Sequence, residues 1–342
     1  MIFLDVTKAA GSRHRSGLVR VGTRLGQNFD LAAAAVAWPV WDRAVKRGDW
    51  FLTPELFSES ERPGFTAFLE ARPCRFAGIF HDAIPLKHPH ITWPQSVARH
   101  PEYMKLLSRF DRVWAVSEAS RSELLGFWRW QGIETVPPVE VLALGADFDG
   151  APRTSTRKPI LPGGHLVCVG ILEPRKNQLF LLEVCEALWA DGLKFELHVV
   201  GRVNPHFGAP ILARLKAARR KYRGLRFHAA ASDAEVARLY ATARASVFPT
   251  IAEGCGLPLL ESLWMGVPCV CSDLPVLREN ADAGGCVAVA LNDHEAWKIA
   301  LRRVLTDDDF YRRLSADVVT RPLPTWADAA RTVLRGLHGG GS

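Results

Sequence analysis

Residues 248–273 read FPTIAEGCGLPLLESLWMGVPCVCSD, and this segment decides the fold. Its first residues form an apolar run that predicts a buried strand. A short loop containing Gly254 and Gly256 follows, and a helix is expected to begin at Leu257 or Pro258, because proline suits the first helical turn. A strand, a glycine loop and a helix in this order predict one βα unit of a parallel sheet.

The same alternation of strands and helices extends in both directions from this segment. In the second half, strands are predicted at residues 166–171, 195–200, 225–229, 245–249 and 267–271. Helices are predicted there at residues 177–193, 210–222, 233–243 and 258–265. In the first half, strands are predicted at residues 2–6, 31–36, 76–80, 112–116 and 139–144, and helices at 18–26, 102–110 and 118–130. This pattern predicts the α/β class, with doubly wound parallel sheets.

A polar stretch rich in proline and glycine, residues 152–164, predicts a linker near residue 155. We therefore expect one Rossmann-like domain over residues 1–155 and a second over residues 156–325. A last helix, residues 326–337, is expected to pack back onto the first domain. Because ligands bind outside the carboxyl ends of the strands in such sheets, the expected site is the cleft between the domains.

The composition is that of a folded globular protein, with 342 residues, 48% of them hydrophobic and 23% charged. This excludes disorder and coiled coils. No run of 18 apolar residues is present, so no membrane span is predicted. The seven cysteines form no CxxC pair, which favours reduced thiols and a cytoplasmic location. The net charge of +7 favours anionic ligands or an anionic surface.

The loop and helix start of the deciding segment predict an anion site suited to phosphate, because free backbone N–H groups point outward there with the helix dipole behind them. The N–H groups in question belong to Gly254, Cys255, Gly256 and Leu257. Glu253 and Glu261 flank them, and about 12 Å of helix would separate positions eight apart, too far for one catalytic dyad. They could hold hydroxyl groups at two ends of a ligand with a diphosphate between, as in a nucleotide sugar.

Residues 253–273 resemble the signature of the retaining family-four glycosyltransferases, the glycosyl transferases group 1. The similarity continues in GILEPRKN (170–177), HVVGR (198–202), residues 226–250 and residues 324–337, and more weakly in the first half. The resemblance implies the GT-B fold, with two facing Rossmann-like domains and a central cleft. The first domain would lie on the acceptor side, and the second would bind the nucleotide sugar.

The resemblance also implies residue roles. Glu253 would contact the donor sugar and Glu261 the ribose, while Arg175 and Lys176 would neutralise the donor diphosphate. Many members carry arginine where this chain has Ile171, so it stays open whether Arg175 replaces that residue.

Five further residues are implied to lie at the site, each with a simpler structural explanation. Gly17 would approach the diphosphate from the loop after the first strand. Gly201 and Arg202, at a strand end, would contact phosphate or base, and the main chain at Ala230 would read the base. His81 would lie beside the sugar and the acceptor, although a purely structural role stays open.

The resemblance therefore implies a retaining hexosyltransferase that moves a sugar from a nucleotide diphosphate sugar to an acceptor hydroxyl. The acceptor would be a glycan, a glycolipid or a lipid-linked sugar, in bacterial polysaccharide, lipopolysaccharide or glycolipid assembly. No cofactor or metal is expected, since zinc-like spacing is absent and the acidic residues 307–309 are interpreted as a solvated helix cap.

Several alternatives remain from the sequence. A nucleotide-sugar epimerase, or another GT-B enzyme that is not a transferase, would share these motifs. A NAD-dependent oxidoreductase is disfavoured because no GxGxxG follows the first strand, and no nucleic-acid-binding module is present. The basic helix at residues 209–226 is either a solvated face over the core or a dock for anionic lipid at the inner face of the cell membrane.

Overall fold

A computed structural model describes residues 1–11, 17–29, 32–38, 45–148, 150–156 and 164–339. The chain forms two compact units. Unit 1 comprises Met1–Gly145 and Pro324–Ser342, and unit 2 comprises Ala146–Leu323.

Unit 1 contains a six-stranded parallel sheet covered by helices. Its strands are β1 (Ile2–Asp5), β2 (Ala33–Val36), β3 (Trp50–Thr53), β4 (Arg75–Phe80), β5 (Arg112–Ala115) and β6 (Val139–Val141). Its first helices are α1 (Thr7–Gly11), α2 (Gly17–Asn28), α3 (Phe65–Ala71), α4 (Ile84–Lys87), α5 (Pro94–Leu107) and α6 (Glu118–Trp130). The strand order is β2-β1-β3-β4-β5-β6, so the winding direction reverses between β1 and β3. The strands are largely apolar, as expected when both faces of a sheet are buried.

Unit 2 contains a second six-stranded parallel sheet. Its strands are β7 (His165–Val169), β8 (Glu196–Val200), β9 (Leu225–His228), β10 (Ala243–Phe248), β11 (Cys269–Ser272) and β12 (Cys286–Val289). Its helices are α7 (Gln178–Ala190), α8 (Gly208–Lys221), α9 (Asp233–Thr242), α10 (Leu257–Trp264), α11 (Pro275–Ala281), α12 (His294–Thr306) and α13 (Asp308–Thr320). The order β12-β11-β10-β7-β8-β9 is the classical Rossmann order, in which β7 and β10 flank the point where the winding reverses.

The last helix, α14 (Trp326–His338), belongs to unit 1 and packs against α2. A capping box of Thr325 and Asp328 fixes its start. Near its other end, the indole N–H of Trp50 donates a 2.9 Å hydrogen bond to the carbonyl of Leu337. At Gly145 a Cβ atom would lie 2.3 Å from the backbone nitrogen of Trp326, so the helix start sits directly against this glycine.

The predicted alternation is confirmed, with differences in detail. The elements that were not predicted are β3, β12, α1, α3, α4, α11, α12 and α13. Helix α5 begins at Pro94 rather than at residue 102, because the chain accommodates Pro101 inside the helix. The acidic stretch 307–309 is a helix cap as predicted, since the Asp307 side chain accepts a hydrogen bond from the Phe310 N–H.

The boundary between the units lies at Gly145, earlier than the predicted linker near residue 155. The reason is that the residues just before the polar stretch pack on unit 2. Phe148 joins a core cluster with Tyr240, their rings 6.1 Å apart. The carbonyl of Ala151 accepts a 2.8 Å hydrogen bond from the indole of Trp264. Residues 157–163 of the predicted linker lie outside the described residues.

A buried ion-pair network lies in unit 1 where β1 and β3 end. The guanidinium of Arg62, 1% exposed, contacts the carboxylates of Asp5 and Glu55. Asp5 also accepts a 2.6 Å hydrogen bond from the Thr53 hydroxyl. Glu55 accepts the N–H of Lys8 at 2.8 Å, so the network also holds the start of α1. One cation therefore pairs with two buried carboxylates, one at the end of β1 and one just after β3.

We expect Arg62→Met to lower the free energy of unfolding by about 3–5 kcal/mol, because two buried carboxylates lose their counter-ion. Urea unfolding followed by tryptophan fluorescence measures the change. Arg72→Met is the matched control, since Arg72 pairs with Asp111 at the surface and such pairs contribute less than about 1 kcal/mol. Equal effects of the two substitutions would contradict a structural role for the Arg62 network.

Candidate active site

The candidate site of unit 2 lies where β7 and β10 end. These strands are neighbours in the sheet, so the loops after them emerge at the same edge. The loop after β7 contains a 3-10 turn, Pro174–Lys176, which carries Arg175 and Lys176. The loop after β10 carries Thr250 and Glu253. Parallel sheets bind ligands at such a reversal of winding.

Glu253 is the centre of this cluster. Its Oε1 atom accepts hydrogen bonds from the ammonium of Lys176 at 2.5 Å and from the hydroxyl of Thr250 at 2.8 Å. The guanidinium of Arg175 lies 3.0 Å from the same oxygen. Within the described residues, no donor forms a hydrogen bond with Oε2. One carboxylate oxygen is thus held by two hydrogen bonds and an ion pair, while the other retains its lone pairs.

Burial and the neighbouring charges have opposite effects on the pKa values of Glu253 and Lys176. Burial alone would raise the pKa of Glu253, but Lys176 and Arg175 outweigh it and hold that pKa below its usual range. Burial lowers the pKa of Lys176 below its ordinary value, although Glu253 opposes this shift. Glu253 is therefore ionised at neutral pH, and its charge depends on the cations beside it.

The stem of Lys176 runs through a narrow passage formed by small and aromatic residues. A Cβ atom on Gly170 would come within 3.3 Å of the Lys176 Cδ atom. The Lys176 ammonium lies 5.0 Å from the centre of the Phe248 ring. Arg175 is fixed separately, because it donates to the Glu173 carboxylate at 2.8 Å and to the carbonyl of Ala252 at 3.0 Å.

Helix α10 begins at Leu257, as predicted, directly after the glycine loop. Gly256 caps it with a φ of 86°, a conformation that favours glycine, and a Cβ there would lie 2.6 Å from Leu277. In the described part of the chain, the N–H groups of Cys255, Gly256 and Leu257 donate no hydrogen bond. Burial raises the pKa of the Cys255 thiol to about 12, so this residue contributes its backbone and not a thiolate.

Glu261 lies on α10 and is 4% exposed. The prediction that Glu253 and Glu261 do not form a dyad agrees with the contacts of Glu253, which go to Thr250, Arg175 and Lys176. The side chain of Glu261 is buried, so it is not a solvated surface group. A carboxylate buried near a helix start requires a specific environment.

Three further predicted residues lie just after strands of unit 2. Gly201 follows β8 with a φ of 154°, and a Cβ atom there would lie 2.0 Å from the carbonyl oxygen of Gly170. Close packing of two loops therefore accounts for Gly201. Arg202 is exposed, and its guanidinium forms no hydrogen bond or ion pair with the described residues. Ala230 lies exposed in the turn after β9.

Two predicted residues lie in unit 1. Gly17 is the first residue of α2, and the residues just before it lie outside the described ranges. His81 follows β4 and is buried, and its Nε2–H donates a 2.7 Å hydrogen bond to the carbonyl of Pro54. Burial lowers the pKa of His81, so its ring is neutral and Nδ1 carries the lone pair.

Two residues of the site, Thr250 and Glu173, were not predicted from the sequence. Thr250 lies three residues before Glu253 and orients it, and Glu173 orients Arg175 from two residues away. A hydroxyl at a strand end just before a loop acid was the available signal for Thr250. Within the described ranges, no group of three or more His, Cys, Asp or Glu side chains is arranged to hold a metal ion. None of the described helices is long and apolar enough to span a bilayer.

Residues 163–307 match the sequence family described as Glycosyl transferases group 1. O-antigen chain mannosyltransferase B of Escherichia coli is 30% identical over 253 residues, which are 71% of this chain and 64% of that protein. Serotype-specific mannosyltransferase WbdA of Escherichia coli is 30% identical over 227 residues, 60% of this chain. The matched region is 28% of WbdA, so this chain spans only part of these relatives.

Solved glycosyltransferase structures share the fold. WaaG, a glycosyltransferase involved in lipopolysaccharide biosynthesis, superposes with a TM-score of 0.68 at 14% identity, covering 99% of this chain and 100% of WaaG. Anabaena Alr3699/HepE, in complex with UDP and glucose, gives a TM-score of 0.71 at 12% identity, with 99% of each chain covered. The predicted GT-B fold is confirmed.

We expect Glu253→Gln to change how stability depends on pH. The pKa of Glu253 is lowered in the folded chain, so its ion pairs stabilise the protein above the ordinary value of 4.5. That contribution is lost as the pH falls from 4.5 through the folded value. Urea unfolding between pH 7 and pH 3 should show the wild type losing its advantage over the variant in that window.

Glu134→Gln is the matched control for this experiment, since residue 134 is exposed and its carboxylate has no ion pair with the described residues. Its pH profile should follow the wild type. A constant difference between wild type and Glu253→Gln across the whole range would contradict the lowered pKa.

Proposed function

We propose that this chain, whose residues 163–307 match the Glycosyl transferases group 1 family, transfers a hexose from a nucleotide diphosphate sugar to an acceptor hydroxyl. The observation that carries the proposal is the cluster at the ends of β7 and β10. There Arg175 and Lys176 bring two cations to the oriented carboxylate of Glu253, beside the start of α10. Such a cluster has groups for both the sugar and the phosphate parts of one donor.

In this proposal each part of the donor has its own contacts. The Oε2 atom of Glu253 accepts a hydrogen bond from a sugar hydroxyl. It is available because the contacts to Lys176, Thr250 and Arg175 are all made by Oε1. Lys176, Arg175 and the N–H groups at the start of α10 stabilise the diphosphate. Glu261 binds the ribose.

The remaining candidate residues serve the ends of the two substrates. Arg202 is the exposed cation available to phosphate or base, and the turn at Ala230 contacts the base through its main chain. His81 acts on the acceptor side, in unit 1, and Gly17 keeps its predicted role at the donor diphosphate. The neutral ring of His81 fits a role as hydrogen-bond acceptor through Nδ1.

The proposed reaction retains the anomeric configuration. The bond between the anomeric carbon and the leaving phosphate oxygen breaks, and the acceptor oxygen bonds to the same face of the sugar. The leaving phosphate takes the acceptor's proton. Charge develops on the diphosphate, and each donor aimed at it contributes about 3 kcal/mol of transition-state stabilisation by analogy with oxyanion holes. In this proposal the cations supply that stabilisation without a metal ion.

The relatives suggest the setting. Two are named mannosyltransferases, one of the O-antigen chain, and WaaG is named for lipopolysaccharide biosynthesis. We therefore propose mannosyl transfer to a glycan, glycolipid or lipid-linked acceptor in the assembly of bacterial polysaccharide or lipopolysaccharide. All seven cysteines are free, which supports a reducing, cytoplasmic compartment.

The test is a transfer assay with a panel of nucleotide sugars and short mannose oligosaccharides as acceptors. We expect transfer from a nucleotide diphosphate mannose, undiminished by EDTA, with the first-formed product retaining the donor's configuration in NMR spectra. Lys176→Met should lower kcat by about 100-fold, since it removes charge that stabilises the leaving group. Lys194→Met, at an exposed position between α7 and β8, is the control.

Three outcomes would count against parts of this proposal. An inverted product would eliminate front-face attack, and inhibition by EDTA would eliminate metal independence. Conversion of the donor sugar without any acceptor would indicate the alternative, a nucleotide-sugar epimerase.

We also propose a peripheral contact between α8 and anionic lipid. The apolar residues Ile211 and Leu215 of this helix are buried in the core of unit 2, so only its charged face is available. Lys216, Arg219 and Arg220 are exposed there and form no ion pair with the described residues. Basic residues near an anionic surface contribute about 1 kcal/mol each.

Vesicle flotation tests this contact. The chain should float with vesicles containing phosphatidylglycerol at low salt and remain unbound at high salt, because salt screens exposed charges. Arg219→Glu together with Arg220→Glu should abolish flotation. Binding that is indifferent to salt, or unchanged in this variant, would contradict the proposed contact.

A further inference from the structure

A groove of about 780 Å³ opens on unit 1, and none of the residues assigned above lines it. Helix α5 forms one wall, and Thr66 of α3 together with residues 57–61, which follow β3, forms the other. The volume is within the range of pockets that hold small ligands. Nothing in the proposed chemistry of the donor uses this groove.

The groove combines apolar surface with charged side chains, and these charges balance. Three carboxylates line it, from Glu59, Glu61 and Glu102, and three cations balance them, from Arg99, Lys105 and Arg109. The cations are already paired: Arg99 with Glu61 at 2.8 Å, Lys105 with Glu102 at 3.2 Å, and Arg109 with Glu70 at 3.1 Å. A lining of this kind offers many hydrogen-bonding groups and no unbalanced field for an anion.

The acidic wall is rigid. Glu59 accepts the N–H groups of Gly64 at 2.7 Å and Thr66 at 3.0 Å, and so fixes the entry to α3. Burial would raise the pKa of Glu59, but the hydrogen bonds from Thr66 and Gly64 outweigh it and lower that pKa. Glu61 is held by Arg99 and by Lys8 at 2.9 Å. Both side chains therefore present ionised oxygens in fixed positions, which reduces the entropy cost of binding.

The other wall is attached to the strand end that carries His81. The hydroxyl of Tyr103, on α5, donates a 3.3 Å hydrogen bond to the carbonyl of Ile79. The ring of His100, one turn earlier, donates a 2.9 Å hydrogen bond to the carbonyl of Asp82. The groove and His81 thus share one rigid support within unit 1.

We propose that this groove binds the neutral oligosaccharide part of the acceptor, the sugars beyond the one that receives the new residue. Carboxylates and guanidinium groups in fixed positions suit the many hydroxyl groups of a sugar chain. The balanced charge disfavours a phosphate-bearing ligand, so the lipid or phosphate end of an acceptor binds elsewhere. This inference rests on the proposed function, since it assigns a subsite for the same acceptor.

Direct binding of mannotetraose, followed by ligand-observed NMR without any donor, tests the subsite. Ala98 lines the groove and is exposed on α5, so Ala98→Trp fills the groove without removing a polar contact. We expect its Kd for mannotetraose to rise at least about tenfold, a loss of about 1.4 kcal/mol. Ala67→Trp is the matched control, because Ala67 is exposed on α3 outside the groove, and its Kd should not change.

The outcomes separate this inference from the proposed function. Mannotetraose binding that Ala98→Trp weakens and Ala67→Trp does not supports the subsite, even if no transfer is detected. Equal Kd values for mannose and mannotetraose, or no effect of Ala98→Trp on a chain that still binds nucleotide sugar, would overturn the subsite. Transfer that is then independent of acceptor length would leave the proposed function intact.

Discussion

The ion pair of Lys176 and Glu253 forms because two neighbouring parallel strands end at the same edge of a sheet. Strand adjacency brings together two loops that are 77 positions apart in the chain. Burial then makes each charge dependent on the other, since neither ion is stable alone in a low-dielectric environment. The glycines at 170 and 256 allow the close approach, one beside the lysine stem and the other at the helix start. The position and charge of the candidate site both follow from this contact.

The two sheets differ in what lies at the point where the winding of their strands reverses. In unit 2 the ends of β7 and β10 carry a carboxylate with one uncommitted oxygen beside two cations. In unit 1 the corresponding ends of β1 and β3 are filled by Arg62, whose guanidinium is enclosed by Asp5 and Glu55. The groove of unit 1 is lined by other residues, many of them on α5.

Much of this could be predicted from the sequence, because apolar runs and glycine loops are local signals. The strand ending before Thr250, the start of α10 and the helices on both sides were predicted correctly. Strand β3 was missed, although other strands of four residues were predicted. The close approach of Gly201 to the Gly170 carbonyl could not be predicted, since it depends on how two loops pack, and the ligand contact of Gly201 stays a prediction. Arg62 could not be found, since nothing local marks an arginine that will be buried between two distant acids.

The return of α14 to unit 1 makes that unit discontinuous along the chain. During synthesis, residues 1–145 leave the ribosome well before the helix that covers α2. Until then Trp50 lacks the Leu337 carbonyl, and the surface beside Gly145 is not yet covered by Trp326. Unit 2, by contrast, is continuous and has its whole sheet available earlier. Unit 1 is therefore the first to be started during translation and the last to be completed.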